Sequence, residues 1–274
     1  MNTLKVAIVE FDSTKYEDLL NVAVESALAA SDVIMEALDK PHRTNYKGKY
    51  DLVTETDQNS EKIIKRIIKS NFPDHNILAE ESGVENSNSD YTWIIDPLDG
   101  TTNFVHGYPS FSVSIGAYHK NEAIASAILE MPHRKLYSAI KDNGAWCEGE
   151  KIECSKTKKI DKSLLITGFG YERNSLWELN MKLFKHFTDL SQGVRRFGSA
   201  AIDICHVASG KADGFWEFDL KPWDIAAGVL IAKESGCAIS GTEGGEHNIY
   251  DGNIIVSNPQ IHKTILKEIK SYLN

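Results

Sequence analysis

The sequence contains no uninterrupted apolar run near the ~20 residues that a membrane helix requires. Its opening segment, MNTLKVAIVEFD, has too short an apolar stretch for a secretory leader, and acids follow early at Glu10 and Asp12. These two absences predict a soluble, cytoplasmic protein. A basic surplus is also missing: 30 Lys and Arg face 39 Asp and Glu, for a net charge of −9. That balance argues against affinity built on neutralising nucleic-acid phosphates or an anionic membrane. A phosphate-bearing substrate would meet like-charge repulsion unless metal ions relieved it locally. Cysteine is scarce, and Cys147, Cys154, Cys205 and Cys237 form no CxxC pair and no zinc spacing with any histidine. They read as reduced, mostly buried thiols. The sequence has no HExxH, GxSxG, GxxxxGKS/T or GxGxxG run. Zinc-protease, serine-hydrolase, nucleoside-triphosphate and dinucleotide chemistry therefore lose their usual support.

What is present suits a large core, since 42% of the 274 residues are hydrophobic. Apolar residues at helical spacing predict a helix from about Tyr16 to Leu38, closed by Pro41. YKGKYDLVTETD reads as a loop into a short strand or turn. A second helix carries Ile63, Ile64, Ile67 and Ile68 on one stripe, with Thr56 or Asp57 near its N-cap. Strands are then expected at His75–Leu78, Tyr91–Ile95, Ser110–Tyr118, Ala123–Glu130 and Lys135–Ile140, and Asp142-Asn143-Gly144 is a turn. The lysine-rich stretch Ser155–Lys162 is the candidate boundary. Beyond it, strands at Ser163–Thr167, Gly193–Arg196, Gly214–Phe218, Cys237–Ser240 and Gly252–Ser257 alternate with helices at Leu176–Phe187, Ser199–Ala208, Pro222–Ser235 and Pro259–Tyr272. The layout is α+β with layered sheets.

The segment WIIDPLDGTTNF concentrates the chemistry. Trp93-Ile94-Ile95 is an apolar strand end, and Asp96 stands at its mouth. Pro97 lacks an N–H and fixes φ, which predicts that the strand stops there. Asp99 follows three residues after Asp96, so both carboxylates can turn toward one point. Gly100-Thr101-Thr102 supplies a glycine turn whose N–H groups can face an anion at a helix start. Two carboxylates, the Leu98 carbonyl between them and an anion nest describe a site for a hard metal and a phosphate. A plain turn whose aspartates cap the next helix is the alternative. Glu80 and Glu81 in ILAEESG stand at another strand's mouth, or are solvated surface. Asp51 and Asp57 in DLVTETD flank an apolar pair, and Asp57 can serve as a helix cap. Asp224 in KPWDIAAG lies in the first turn of an apolar helix, a favourable place in the helix dipole. Arg195 and Arg196 suggest surface or subunit-interface ion pairs.

Taken together, WIIDPLDGTTNF and KPWDIAAG, with DLVTETD, LAEESG, RRFGSAAIDICHVASG and GFWEFDLKPWD in matching order, resemble the inositol monophosphatase family. Its members are Mg²⁺-dependent, typically Li⁺-sensitive phosphomonoesterases, and the resemblance runs from about residue 16 to the last helix. It implies the layered α/β/α/β/α sandwich of the inositol monophosphatase and fructose-1,6-bisphosphatase type. Residues 1–155 would form an N-terminal half with most metal ligands, and 156–274 a C-terminal half with substrate-side residues and Asp224, as one catalytic unit.

The resemblance further implies two or three Mg²⁺ ions per site. Glu80, Asp96 and the Leu98 carbonyl would hold one; Asp96, Asp99 and Asp224 a second, with Asp96 bridging; a third, weaker ion would lie near Glu80. A water activated by metal would attack the phosphorus in line, oriented and deprotonated by Asp57 and Thr101 beside Glu80. The Gly100 and Thr101 N–H groups would grip the phosphate. Substrate hydroxyls would meet Asp99, Gly198, Ser199, Ala200, Glu217 and Asp224, and Lys47 is a further candidate for the third metal or the phosphate. The implied substrate is myo-inositol 1-phosphate. Fructose 1,6-bisphosphate, histidinol phosphate and sugar 1-phosphates are alternatives, and 3′-phosphoadenosine 5′-phosphate ranks below them. GFGYERN at Gly168–Asn174 resembles bacterial-type members. A homodimer with no membrane or nucleic-acid partner is expected. A non-catalytic binding role with the transcription machinery is the reading from a different class.

Overall fold

The computed structural model describes residues 16–38, 40, 44–46 and 52–273. Lys47, Asp51 and the opening segment lie outside them. The chain begins with α1 (Glu17–Ala37), β1 (Thr44–Tyr46), β2 (Leu52–Thr54), α2 (Glu55–Asn71), β3 (Asn76–Ala79), β4 (Gly83–Glu85) and β5 (Tyr91–Asp99). It continues through α3 (Thr101–Val105), β6 (Phe111–His119), β7 (Glu122–Met131), β8 (Lys135–Ile140), β9 (Gly144–Cys147) and β10 (Glu150–Lys151). The second part holds β11 (Leu164–Thr167), α4 (Ser175–Leu190), β12 (Gly193–Arg195), α5 (Ala200–Ala208), β13 (Gly214–Phe218), α6 (Pro222–Glu234), β14 (Ala238–Ser240), β15 (Asn253–Ser257) and α7 (Pro259–Leu273).

Eight strands form one sheet in the order β10-β9-β8-β7-β6-β5-β3-β4, antiparallel except where β3 pairs with β5. Five more form a second sheet, β12-β11-β13-β15-β14. On α1, Leu19, Ala23, Ala27, Ala30 and Ile34 make a buried stripe, and the three alanines leave room for α2 to lie alongside. Both helices cover one face of the large sheet. α5 and α6 fill the space between the sheets, and α4 with α7 covers the outer face of the small one. The result is an α/β/α/β/α sandwich. A sheet covered on both faces must be apolar on both, which is why Trp93, Ile94 and Ile95 run consecutively in β5. Trp93 and Ile95 enter the α1/α2 core, and Ile94 enters the core between the sheets.

Two local expectations are corrected. β5 does not stop at Ile95: pairing with β6 shifts register after Asp96↔Ser114 and resumes at Asp99↔Ser112. Pro97, which has no donor to offer, sits inside that irregularity, so the ladder tolerates it. The cap of α2 is Thr54, neither Thr56 nor Asp57. Asp57 occupies the third helical position, closing a reciprocal capping box. The hairpin strands β4, β9 and β10 were also not expected, being too short to show a period.

Candidate active site

The site gathers where β5 ends and four helices begin. Asp57 is in the first turn of α2, fully buried, with its Oδ2 accepting from the Thr54 N–H at 2.8 Å and from the Thr54 hydroxyl. That grip turns Oδ1 toward Thr101, whose hydroxyl donates to it at 2.9 Å and also lies 3.0 Å from the Leu98 carbonyl oxygen. Burial raises the Asp57 carboxyl above its ordinary range, against the bonds from Thr54 and Thr101.

Asp96 is 2% exposed, and its Oδ1 accepts from the Leu98 N–H at 3.0 Å. Burial pushes its carboxyl well up, and the neighbouring charges of Glu80, Asp99 and Asp224 push it further. Glu80 follows β3, which runs parallel to β5, and its N–H donates to the Ile95 carbonyl at 3.2 Å. Parallel pairing therefore sets the end of β3 beside Asp96. Asp99 leaves β5 and reaches across to α5, where its Oδ2 accepts from the Ser199 hydroxyl at 2.5 Å and from the Ala201 N–H at 2.9 Å. Burial raises it to about 6, with Ser199 opposing. Asp224, in the first turn of α6, accepts from the Lys221 N–H at 2.6 Å, and burial and Asp99 raise it well above its ordinary range.

Gly100 is required on two counts. Its φ is +89°, and a Cβ there would stand 3.0 Å from the Ser110 carbonyl and 3.1 Å from the Gly198 carbonyl. This contact brings the Gly198-Ser199-Ala200 turn against the start of α3. Asn103 reinforces it, donating to the Ser110 carbonyl at 2.6 Å and the Phe197 carbonyl at 2.7 Å. Gly100→Ala is expected to lower stability by about 2 kcal/mol in a urea melt. Any activity that depends on this turn should fall with it, because the turn cannot approach. An unchanged midpoint would remove the packing argument.

Glu217 on β13 is buried. Burial raises its carboxyl well up, Asp224 and Asp99 add to that, and Arg196 opposes. Gly168 makes space for it, since a Cβ there would fall within 2.3 Å of the Glu217 carboxyl carbon. Arg196, expected as a surface or interface charge, is exposed but turns its charge toward this group. Hydrogen bonds and mutual charge effects thus link Asp57, Glu80, Asp96, Leu98, Asp99, Thr101, Ser199, Glu217 and Asp224 into one group.

Three features were missed by sequence reasoning. Asn103 was visible in the TTNF motif but had no role assigned. Asp203 in α5 is fully buried, and neither carboxylate oxygen has a hydrogen-bond partner among the described residues. Burial, Glu217 and Asp99 hold it well above its ordinary range, with Arg196 opposing. Its only signal was a charge inside an otherwise apolar helix. Cys154 and Cys237, which show no spacing motif, meet thiol to thiol.

The donors fit a hard divalent cation in kind: four carboxylates and one carbonyl, all oxygen, with charges that raise one another's affinity for protons. Among the described residues no three acidic, histidine or cysteine side chains stand as a closed cage. Asp99 is turned to Ser199, and Asp224 to the Lys221 amide. Carboxylates gathered in this way repel one another unless cations compensate them.

Comparison with known proteins gives a consistent picture. The family model described as the inositol monophosphatase family matches residues 15–274. The chloroplastic phosphatase IMPL1 of Arabidopsis thaliana is 49% identical over 92% of this chain and 70% of its own. The inositol-1-monophosphatase of Synechocystis sp. is 41% identical, covering 93% and 90%. A protein named Nus factor SuhB, from Vibrio cholerae serotype O1, is 37% identical, covering 92% and 96%. Among solved structures, the inositol monophosphatase of Anabaena superposes with a TM-score of 0.86 at 39% identity, covering 94% of this chain and 97% of that one.

Proposed function

The chain belongs to the inositol monophosphatase family and is a phosphatase, and we propose that it is a Mg²⁺-dependent phosphomonoesterase acting on myo-inositol 1-phosphate. The observation that carries this reading is the gathering of Glu80, Asp96, Asp99 and Asp224, in which the charges of Glu80, Asp99 and Asp224 raise Asp96, Glu80 raises Asp99, and Asp99 and Glu80 raise Asp224. Such a group is costly without cations and suited to holding them. Glu80, Asp96 and the Leu98 carbonyl would hold one Mg²⁺, Asp96, Asp99 and Asp224 a second, and a third, weaker ion would lie near Glu80. When bound, the metal supplies positive charge that neutralises the phosphoryl group and acidifies water.

The chain's own residues do the rest. Asp57, with Oδ2 fixed by Thr54, presents Oδ1 to Thr101. As the attacking water gives a proton to the Thr101 oxygen, Thr101 passes its own to Asp57, so no free charge develops on the hydroxyl. The Gly100 and Thr101 N–H groups hold the phosphate oxygens at the start of α3. Gly198, Ser199, Ala200, Glu217, Asp99 and Asp224 meet the substrate hydroxyls, Glu217 and Asp224 from the later part of the chain. Residues 1–155 and 156–274 therefore act as one catalytic unit, which we take to be a cytoplasmic homodimer. No helix among the described residues is long and apolar enough to cross a membrane.

Phosphate release with Mg²⁺ tests the proposal on myo-inositol 1-phosphate, fructose 1,6-bisphosphate, histidinol phosphate and a sugar 1-phosphate. The inositol ester is expected to turn over fastest, and a chelator to abolish release. A faster rate on another member transfers the assignment to that substrate. A second reading rests on the relative named Nus factor: a binding role beside the transcription machinery. It is favoured if folded, Mg²⁺-containing protein hydrolyses nothing in the panel and retains RNA polymerase or antitermination factors in a pull-down at physiological salt.

A further inference from the structure

Cys154 lies just past β10, in the segment that carries the chain from the large sheet to the small one, and Cys237 lies between α6 and β14. The fold brings these two together. The Cys154 N–H donates to the Ser235 carbonyl at 3.0 Å, the Cys237 Sγ lies 3.5 Å from the Ser235 hydroxyl oxygen, and the two thiols interact. The segment is anchored one residue later, where the Ser155 hydroxyl donates to Asp213 at 2.5 Å and accepts from Asn258 at 2.8 Å. Both cysteines are half-buried, while the adjoining Gly236 is exposed and leaves an approach open; a Cβ there would stand 4.0 Å from the Cys154 sulfur. Cys147 and Cys205 differ: both are buried, and burial pushes their thiols up.

The bond from Cys237 brings the Cys154 thiol down to about 7, against its partial burial, with Lys156 helping and Glu153 opposing. The same bond raises Cys237. One sulfur is thus a nucleophile near neutral pH and the other is in contact to resolve it. Among the described residues no third histidine, cysteine or acidic side chain joins the pair as a metal-ligand group.

We propose that Cys154 and Cys237 form a reversible dithiol–disulfide site, oxidised by a hydroperoxide, that fastens the segment between the sheets to the end of α6. The Cys154 thiolate attacks a peroxide oxygen, the O–O bond breaks, and the departing hydroxide takes up a proton as water, leaving a sulfenic acid. The Cys237 sulfur then displaces that oxygen, which leaves with the Cys237 proton as a second water. Two electrons pass from the sulfurs to the peroxide. The cross-link lies at the opposite end of α6 from Asp224, about 20 Å away for a helix of this length. It therefore acts on stability rather than on turnover.

The test exposes the full-length protein to a small excess of hydrogen peroxide, then blocks free thiols and maps peptides without reduction. A Cys154–Cys237 linked peptide is expected, with Cys147 and Cys205 still free. The melting temperature should rise by about 5 °C or more and return on adding dithiothreitol. Cys154→Ser and Cys237→Ser should each lose the linked peptide and the shift while melting, untreated, near the parent. Folded protein in which Cys154 overoxidises to sulfinic acid, or in which both thiols survive, overturns the proposal. So does a linked peptide found only after unfolding.

Discussion

Asp96→Asn is expected to cut Mg²⁺-dependent phosphate release by about a thousandfold or more, while leaving the metal-free protein at least as stable as the parent. The two effects have one cause. Asp96 is almost fully buried, and its negative charge is opposed by burial and by Glu80, Asp99 and Asp224. Asparagine keeps the shape and the acceptor for the Leu98 N–H, so the β5 irregularity survives. Removing the charge relieves repulsion, by about 1 kcal/mol or more at neutral pH. It also removes the carboxylate assigned to both metals. Urea melts with chelator and with Mg²⁺, run beside the phosphate assay, separate these effects. The parent should gain stability from Mg²⁺ and the variant should gain much less. A variant with a tenth of parental turnover, still stabilised by Mg²⁺, would take Asp96 out of the metal centre.

Without metal, stability is expected to fall as pH rises from about 4 toward neutrality. Asp99 moves from 3.8 to about 6 on folding, so between those values the folded chain holds a proton that the unfolded chain has lost. The favourable contribution is complete below the lower value and is lost as pH passes the upper one. At about 1.4 kcal/mol per unit, Asp99 alone accounts for at most 2–3 kcal/mol, roughly. Asp96, Asp224, Glu217 and Asp203, all raised well up by burial and mutual charge, extend the fall in the same direction. Saturating Mg²⁺ should flatten or invert the slope, since a cation competes with the protons. Urea midpoints across this range, with chelator and with Mg²⁺, check the sign. A rise with pH in the chelated protein would mean that these carboxylates find compensating partners in the folded state.

Some of this was legible because it is local. The stripe on α1, the apolar run of β5, the turn at Asp142-Asn143-Gly144 and the prolines at the starts of α6 and α7 each depend on neighbours within a turn or two of chain. The Asp-Pro-Leu-Asp-Gly-Thr run likewise announces its chemistry by residue type and spacing. Cap positions and the end of β5 were misplaced for a local reason too. Thr54, Thr56 and Asp57 compete for one role, and a strand can carry a proline where its ladder is already broken.

The sequence by itself determined most of the helix and strand segments, the candidate oxygen donors, and the family to which their order points. Only the tertiary structure decided that Asp57 turns to Thr101, that Asp99 crosses to Ser199 and the Ala201 amide, that Glu80 stands beside Asp96, and that Asp203 is shut in without a hydrogen-bond partner among the described residues. It also decided that Cys154 and Cys237 touch. The physical reason is range. Helical and strand periodicity and turn chemistry are set by near neighbours, whereas these contacts join segments remote in the chain. They exist only once two sheets close on α5 and α6, and burial then gives the gathered charges their strength.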